Sequence, residues 1–188
     1  MPPRRALLAL ALALGALPAR AGDDLIGLFA DESATLCAAA TTPYTTVSVY
    51  LTACLDGIDA IIAAEFALAG LSLSPGYPLG QCTPHWNSPL VIGSLEDDLA
   101  IAFTAPLAGP LALLGRLDFL PFGTDWPGVD RQLRVVAGSA QGAVILVDGD
   151  AVEREVLGGR FTFNCSQGCD CGPGGTASLS FGEVKQLY

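Results

Sequence analysis

The chain has 188 residues, 51% of them hydrophobic and only 15% charged, with 9 Lys and Arg against 19 Asp and Glu for a formal net charge of -10. That apolar content excludes a wholly disordered chain, and the acidity excludes a binder of nucleic acid, which neutralises phosphates with clustered Lys and Arg. The length fits one domain large enough to bury a core.

Residues 1–21 are predicted to be a secretory signal: Arg4 and Arg5 form a positive start, residues 6–17 are a run of Ala and Leu, and Ala19-Arg20-Ala21 is a small-residue cleavage site. The run is too short to span a bilayer, which takes about 20 apolar residues. Cleavage would remove three arginines and no acid, leaving 167 residues with a formal charge of -13. The expected compartment is extracellular or periplasmic, with no transmembrane anchor after cleavage.

From there the dominant period is two, the signature of half-buried strands. Residues 24–30 supply the first run. In 45–54, Val47, Val49, Leu51 and Ala53 fall on one face and Thr46, Ser48, Tyr50 and Thr52 on the other. Further short runs follow at 98–104, 111–120, 132–137, 143–147, 152–157 and 160–164. Turn dipeptides separate them, among them Pro75-Gly76, Gly109-Pro110, Asp148-Gly149 and Gly158-Gly159. This pattern predicts an all-β, antiparallel β-sandwich in residues 22–165. Residues 56–70 are ambiguous. Their Ala content, Asp56 and closing Gly70 favour a helix, while Ala64, Phe66 and Leu68 alternate like a strand. A Gly- and Cys-rich loop is expected at 166–179, and a short C-terminal helix at 180–188, where Ser180 and Glu183 fit a capping box and Phe181, Val184 and Leu187 recur at helical spacing.

Six cysteines, Cys37, Cys54, Cys82, Cys165, Cys169 and Cys171, are an even set in a chain bound for an oxidising compartment, and they read as disulfides. Fifteen pairings are open. The preferred one joins Cys54 to Cys82 and Cys37 to one of the C-terminal trio. The weaker alternative is zinc on Cys165, Cys169 and Cys171, which lacks paired Cys-x2-Cys knuckles and a nearby histidine. Covalent haem is excluded, since no Cys-x-x-Cys-His occurs.

The order Leu25-Ile-Gly-Leu-Phe-Ala-Asp31, Cys37, Pro43-Tyr44, the strand from Val47 to Leu51, and Ile62-Ala-Ala-Glu65-Phe66-Ala-Leu68 resembles a group of secreted bacterial proteins. The ending Ser180-Phe-Gly-Glu-Val-Lys-Gln-Leu-Tyr188 is similar to their aromatic-Gly, Val-Lys, aromatic close. The central part resembles cohesin-type (carbohydrate-binding-module-like) sandwiches, with Ala63-Ala64 where a Gly-aromatic step is usual before Glu65, while in the ending Phe181 stands where Trp is usual. The resemblance implies an immunoglobulin-like jelly roll of about 8 to 9 strands in a non-catalytic, extracytoplasmic module. It carries over no catalytic residue.

Sites for chemistry are few. His85, the single histidine, has no nucleophile at motif spacing, and Gly-x-Ser-x-Gly is absent. Glu153 and Glu155 would share a strand face roughly 7 Å apart, a separation a glycosidase could use; the plainer reading is a solvated face with Arg154 turned away. Asp148, Asp150, Glu96 and Asp98 offer calcium ligands without an EF-hand pattern. Tyr77, Trp86 and Trp126 lie in Pro- and Gly-rich stretches, where exposed rings would bind sugars or a partner's apolar anchor and buried rings would plug the core. The expectation is a secreted non-catalytic binding or surface-assembly module, without cofactor, for a protein or carbohydrate ligand. A structural subunit of an extracellular assembly and a small glycoside hydrolase using Glu153 and Glu155 are the alternatives.

Overall fold

The computed structural model describes residues 24–70, 81–122 and 131–165, with Cys169 and Cys171. The predicted signal segment, the C-terminal helix, Tyr77 and Trp126 lie outside the described residues. Within them every regular element is a strand: β1 Leu25–Phe29, β2 Ala38–Ala39, β3 Val47–Cys54, β4 Ala60–Ala69, β5 Gln81–Trp86, β6 Leu90–Gly93, β7 Leu99–Ala108, β8 Leu111–Leu120, β9 Arg131–Val136, β10 Ile145–Asp148, β11 Glu153–Glu155, β12 Leu157–Gly158 and β13 Arg160–Phe163.

The strands form two sheets. The first runs β12-β1-β3-β8-β5. The second runs β11-β10-β4-β9-β13-β2, with β7 paired to β4 and β6 to β7. β4 is its hub, since Ile61 to Glu65 face β10, the same stretch faces β7, and Ala67 to Ala69 face β9. The sheets are mixed rather than purely antiparallel, a correction to the sequence reading, because β12 lies parallel to β1 and β2 parallel to β13. Both parallel contacts are two residues long and join distant parts of the chain, so no local hairpin pattern announces them.

One core lies between the sheets. Ile26, Leu28, Val49, Leu51, Leu114, Leu117 and Phe119 of the first meet Phe66, Leu68, Ile101, Leu133, Leu146, Phe161 and Phe163 of the second, all essentially buried. Phe119 and Phe163 meet across the gap edge to face with centroids 5.2 Å apart, a geometry the ring quadrupoles favour. Along one side residues 156–159 stitch the sheets together: the Gly159 N–H donates to Ile26 O (2.8 Å) and its carbonyl accepts from the Val135 N–H (3.0 Å). A Cβ at Gly158 would fall on the Val135 carbonyl, so the crossing requires glycine there.

The ambiguous 56–70 stretch resolves as strand β4. Its inward residues are Ile61, then Ala64, Phe66 and Leu68, and the change of parity coincides with a register shift between Ile61 and Ala63. A bulge inserts one residue and reverses which face follows. That insertion gave the apolar residues their helix-like spacing. β8 does the same at its centre, where Ala112 and Leu114 are followed by Leu117 and Phe119 on the buried face, beside the shift between Leu51 and Thr52 on β3.

The expected Cys54–Cys82 bond does not form. Cys54 pairs opposite Leu111 and Cys82 opposite Phe119; these positions are eight residues apart on β8, about 26 Å at the strand rise. A disulfide needs Cα atoms within about 7 Å. Both remain thiols. Cys37 joins Cys171, as expected for a partner from the C-terminal trio, and Cys165 joins Cys169. These two bonds consume the three sulfurs of the zinc alternative, which falls with them.

Candidate functional site: a trough on the outer face of the second sheet

Alternation makes the outer face of the second sheet readable as two cross-strand rows. Opposite the buried Ala64, Ile101 and Leu146, the pairing registers align Ile92, Ala100, Glu65, Ile145 and Glu155 in one row. The adjacent row is Leu90, Ala102, Ala63, Val147 and Glu153. Alanine at the centre and branched side chains on either side leave a trough along β7 and β4. Leu90 and Ile92 form one wall, 52% and 65% exposed, and Ile145 and Val147 form the other.

The cavity holds about 120 Å³, well below the roughly 300 to 1,000 Å³ of a drug-sized pocket. Gln141 also lines it, just after the turn that Asp98 holds by accepting at Oδ2 from Ser139 Oγ (2.5 Å) and from the Ala140 N–H (2.8 Å). Glu65 and Glu153 are the acidic lining. Burial raises the Glu65 carboxyl above its ordinary value, and the charges of Asp98 and Glu153 raise it further.

The structure separates the two glutamates singled out from sequence. Both project from the outer face of β11, but Glu153 borders the trough while Glu155 stands outside its lining. Arg154 turns away, its Nε donating to Asp148 Oδ2 (3.0 Å). Asp148 also accepts from the N–H groups of Asp150 (3.0 Å) and Val152 (2.9 Å). Its carboxylate is thereby committed to the turn, and among the described residues no group of three or more His, Cys, Asp or Glu is placed to hold a metal ion.

His85 lies on the opposite side of the molecule, on the outer face of the first sheet. Its Nε2 is 3.0 Å from Asp118 Oδ2. Arg116 donates to the same carboxylate (2.9 Å), and Ser48 Oγ donates to Oδ1 (2.8 Å). The carboxylate therefore stands between hydroxyl and imidazole. A nucleophilic serine needs the imidazole in that middle place, so His85 cannot take the Ser48 proton here.

Trp86, on the next position of β5, is half buried with its ring over Gly115 at the open side of the core. Sequence reasoning placed no strand at 81–93, where Pro84, Asn87 and Pro89 interrupt any alternation, and so missed both β5 and the wall formed by β6. Proline is tolerated on an edge strand, and β5 is one. It also missed two exposed rings, Tyr44 (73%) and Phe122 (47%), near each other through the Tyr44 N–H to Pro121 O bond of 2.8 Å. Tyr44 holds a left-handed φ of 61°, which no motif signals.

Architecturally this is an all-β protein of two facing mixed sheets with an apolar trough on one outer face. No family model and no curated protein matches the sequence. Among solved structures the chain is similar to a cohesin module from a Clostridium perfringens family 33 glycoside hydrolase, at 11% identity and a TM-score of 0.49 over 76% of this chain and 98% of that one. It is also similar to CaCohA2 of Clostridium acetobutylicum. In the complex of CaCohA2 with a CaDoc0917 variant the identity is 16% and the TM-score 0.47 over 74% and 96% of the two chains; in the solution structure they are 16% and 0.42 over 78% and 94%.

Proposed function

We propose that this is a secreted, non-catalytic binding module that takes a protein partner on the outer face of the second sheet. In this reading residues 1–21 direct export, 22–165 form the sandwich, 166–179 a Gly- and Cys-rich loop and 180–188 a short helix. The observation that carries it is the pair of registered rows, which expose Leu90 and Ile92 beside an alanine floor. Soluble proteins rarely leave such side chains contiguous and uncovered unless something docks there. An aliphatic floor favours protein over carbohydrate, because sugars are held by ring stacking and dense polar contacts, and the trough is lined by neither Trp nor Tyr.

The test is Ala100→Trp, which fills the trough from an exposed face, with Thr83→Trp on the first sheet as control. Secreted material from the native producer and a glycan array are screened together. A protein complex lost in Ala100→Trp and kept in the control, at unchanged melting temperature, is the expected result. Retention on glycans, or a complex indifferent to Ala100→Trp, overturns it.

A further inference from the structure

The trough has two features that a purely apolar docking site does not need. It is sized for one long side chain rather than for a folded segment, and it carries two carboxylates, Glu65 and Glu153, in a lining that is aliphatic apart from them and Gln141. Among the described residues neither has a hydrogen bond or ion pair with a cation of this chain: Arg154 is turned to Asp148 and Arg116 to Asp118. Burial and two neighbouring carboxylates oppose ionisation of Glu65, an arrangement that an arriving positive charge would relieve.

We infer that the trough receives a single basic side chain of the protein partner, its aliphatic stem lying on Ala63, Ala100 and Ala102 and its cationic head against Glu65 and Glu153. This rests on the protein-partner reading above. Lysine and arginine are the side chains whose form fits, since each buries a methylene stem along apolar surface while its charged end seeks an acceptor. A partner's leucine would fill the same volume but leave Glu65 buried without a partner, and an acidic residue would add a third charge of the same sign. Overall acidity, -10 for the chain, also draws a basic partner.

The experiment uses small probes on protein with 13C-labelled alanine methyls: n-butylammonium and n-butylguanidinium as the stem and head, with 1-butanol and butyrate as neutral and anionic controls. The two cations are expected to shift the Ala63, Ala100 and Ala102 methyls saturably, to bind about tenfold more weakly to Glu65→Gln, and to weaken with added salt. Glu153→Gln, at an exposed position, gives a second variant with no folding risk. If 1-butanol binds as tightly as n-butylammonium, if both Gln variants bind the cations unchanged, or if no probe moves these methyls, the inference falls. A protein complex still lost in Ala100→Trp would then leave the docking reading standing.

Discussion

At the scale of single residues, Asp118 shows how a polar group is held on a sheet surface. Ser48 on β3, Arg116 on its own strand and His85 on β5 converge on one carboxylate, so three adjacent strands of the first sheet share a single acceptor. Burial alone would raise its pKa, but the bonds from Ser48 and Arg116 and the charges of Arg116 and His85 outweigh it and hold the group below its ordinary 3.8. A carboxyl lowered in the folded state contributes stability that is fully present above the unfolded value and lost as pH falls through the folded one. The expected result is that the urea midpoint of the native protein declines below about pH 4 more steeply than that of Asp118→Asn, with the two curves converging in strong acid. Parallel curves throughout would show that the cluster contributes nothing to the fold.

At the scale of elements, legibility tracked periodicity. β3, with Val49, Leu51 and Ala53 buried and Ser48 and Tyr50 outward, stands where alternation placed it, except that Thr52, expected on the polar face, is buried as well. β4 was readable only in its second half, because the bulge after Ile61 switches faces and a single phase cannot describe both parts. Of the site, Glu153 was visible in the sequence. Ala63, Ala100 and Ala102 were not, since a floor of alanines has meaning only once β4 and β7 lie side by side. β5 was invisible for a related reason, being an exposed edge that pairs with β8 alone and turns only Cys82 and the Trp86 ring toward the core, the ring resting on Gly115. A Cβ at Gly115 would stand 2.6 Å from the ring and 2.8 Å from the His85 carbonyl, and the carbonyl cannot yield without shifting the strand. Gly115→Ala is therefore expected to cost about 1 to 3 kcal/mol and to release Trp86 to solvent. Urea unfolding and iodide quenching of the Trp86 emission, in a Trp126→Phe background, measure both, and an unshifted midpoint with a protected ring would remove Trp86 as the anchor of β5.

At the scale of the whole molecule, what has to be explained is how the last strand is held, since β13 pairs with β9 through only four residues and with β2 through two. The Cys37–Cys171 bond closes over this edge. Cys37 lies just before β2, its carbonyl accepts from the Thr162 N–H (3.0 Å), and the Cys171 carbonyl accepts from the Arg160 N–H (3.2 Å), so both ends of the staple grip β13 itself. The bond spans 134 residues, against 4 for Cys165–Cys169. Because loop-closure entropy in the unfolded chain grows with the logarithm of that span, the long staple is worth at most about 5 kcal/mol and the short one about 2 kcal/mol. Replacing Cys37 and Cys171 together by serine should therefore lower stability far more than replacing Cys165 and Cys169. Cys54 and Cys82 supply the internal control. Burial pushes each thiol up to about 11, assisted at Cys82 by Asp118, two units above the ordinary 9.0 and so about a hundredfold less thiolate at neutral pH. The unreduced chain should then titrate two thiols when unfolded and react slowly at both when native. Four or six thiols on unfolding, or equal losses from the two serine pairs, would mean that β13 is held by packing against Phe119 and the β9 ladder rather than by the covalent span.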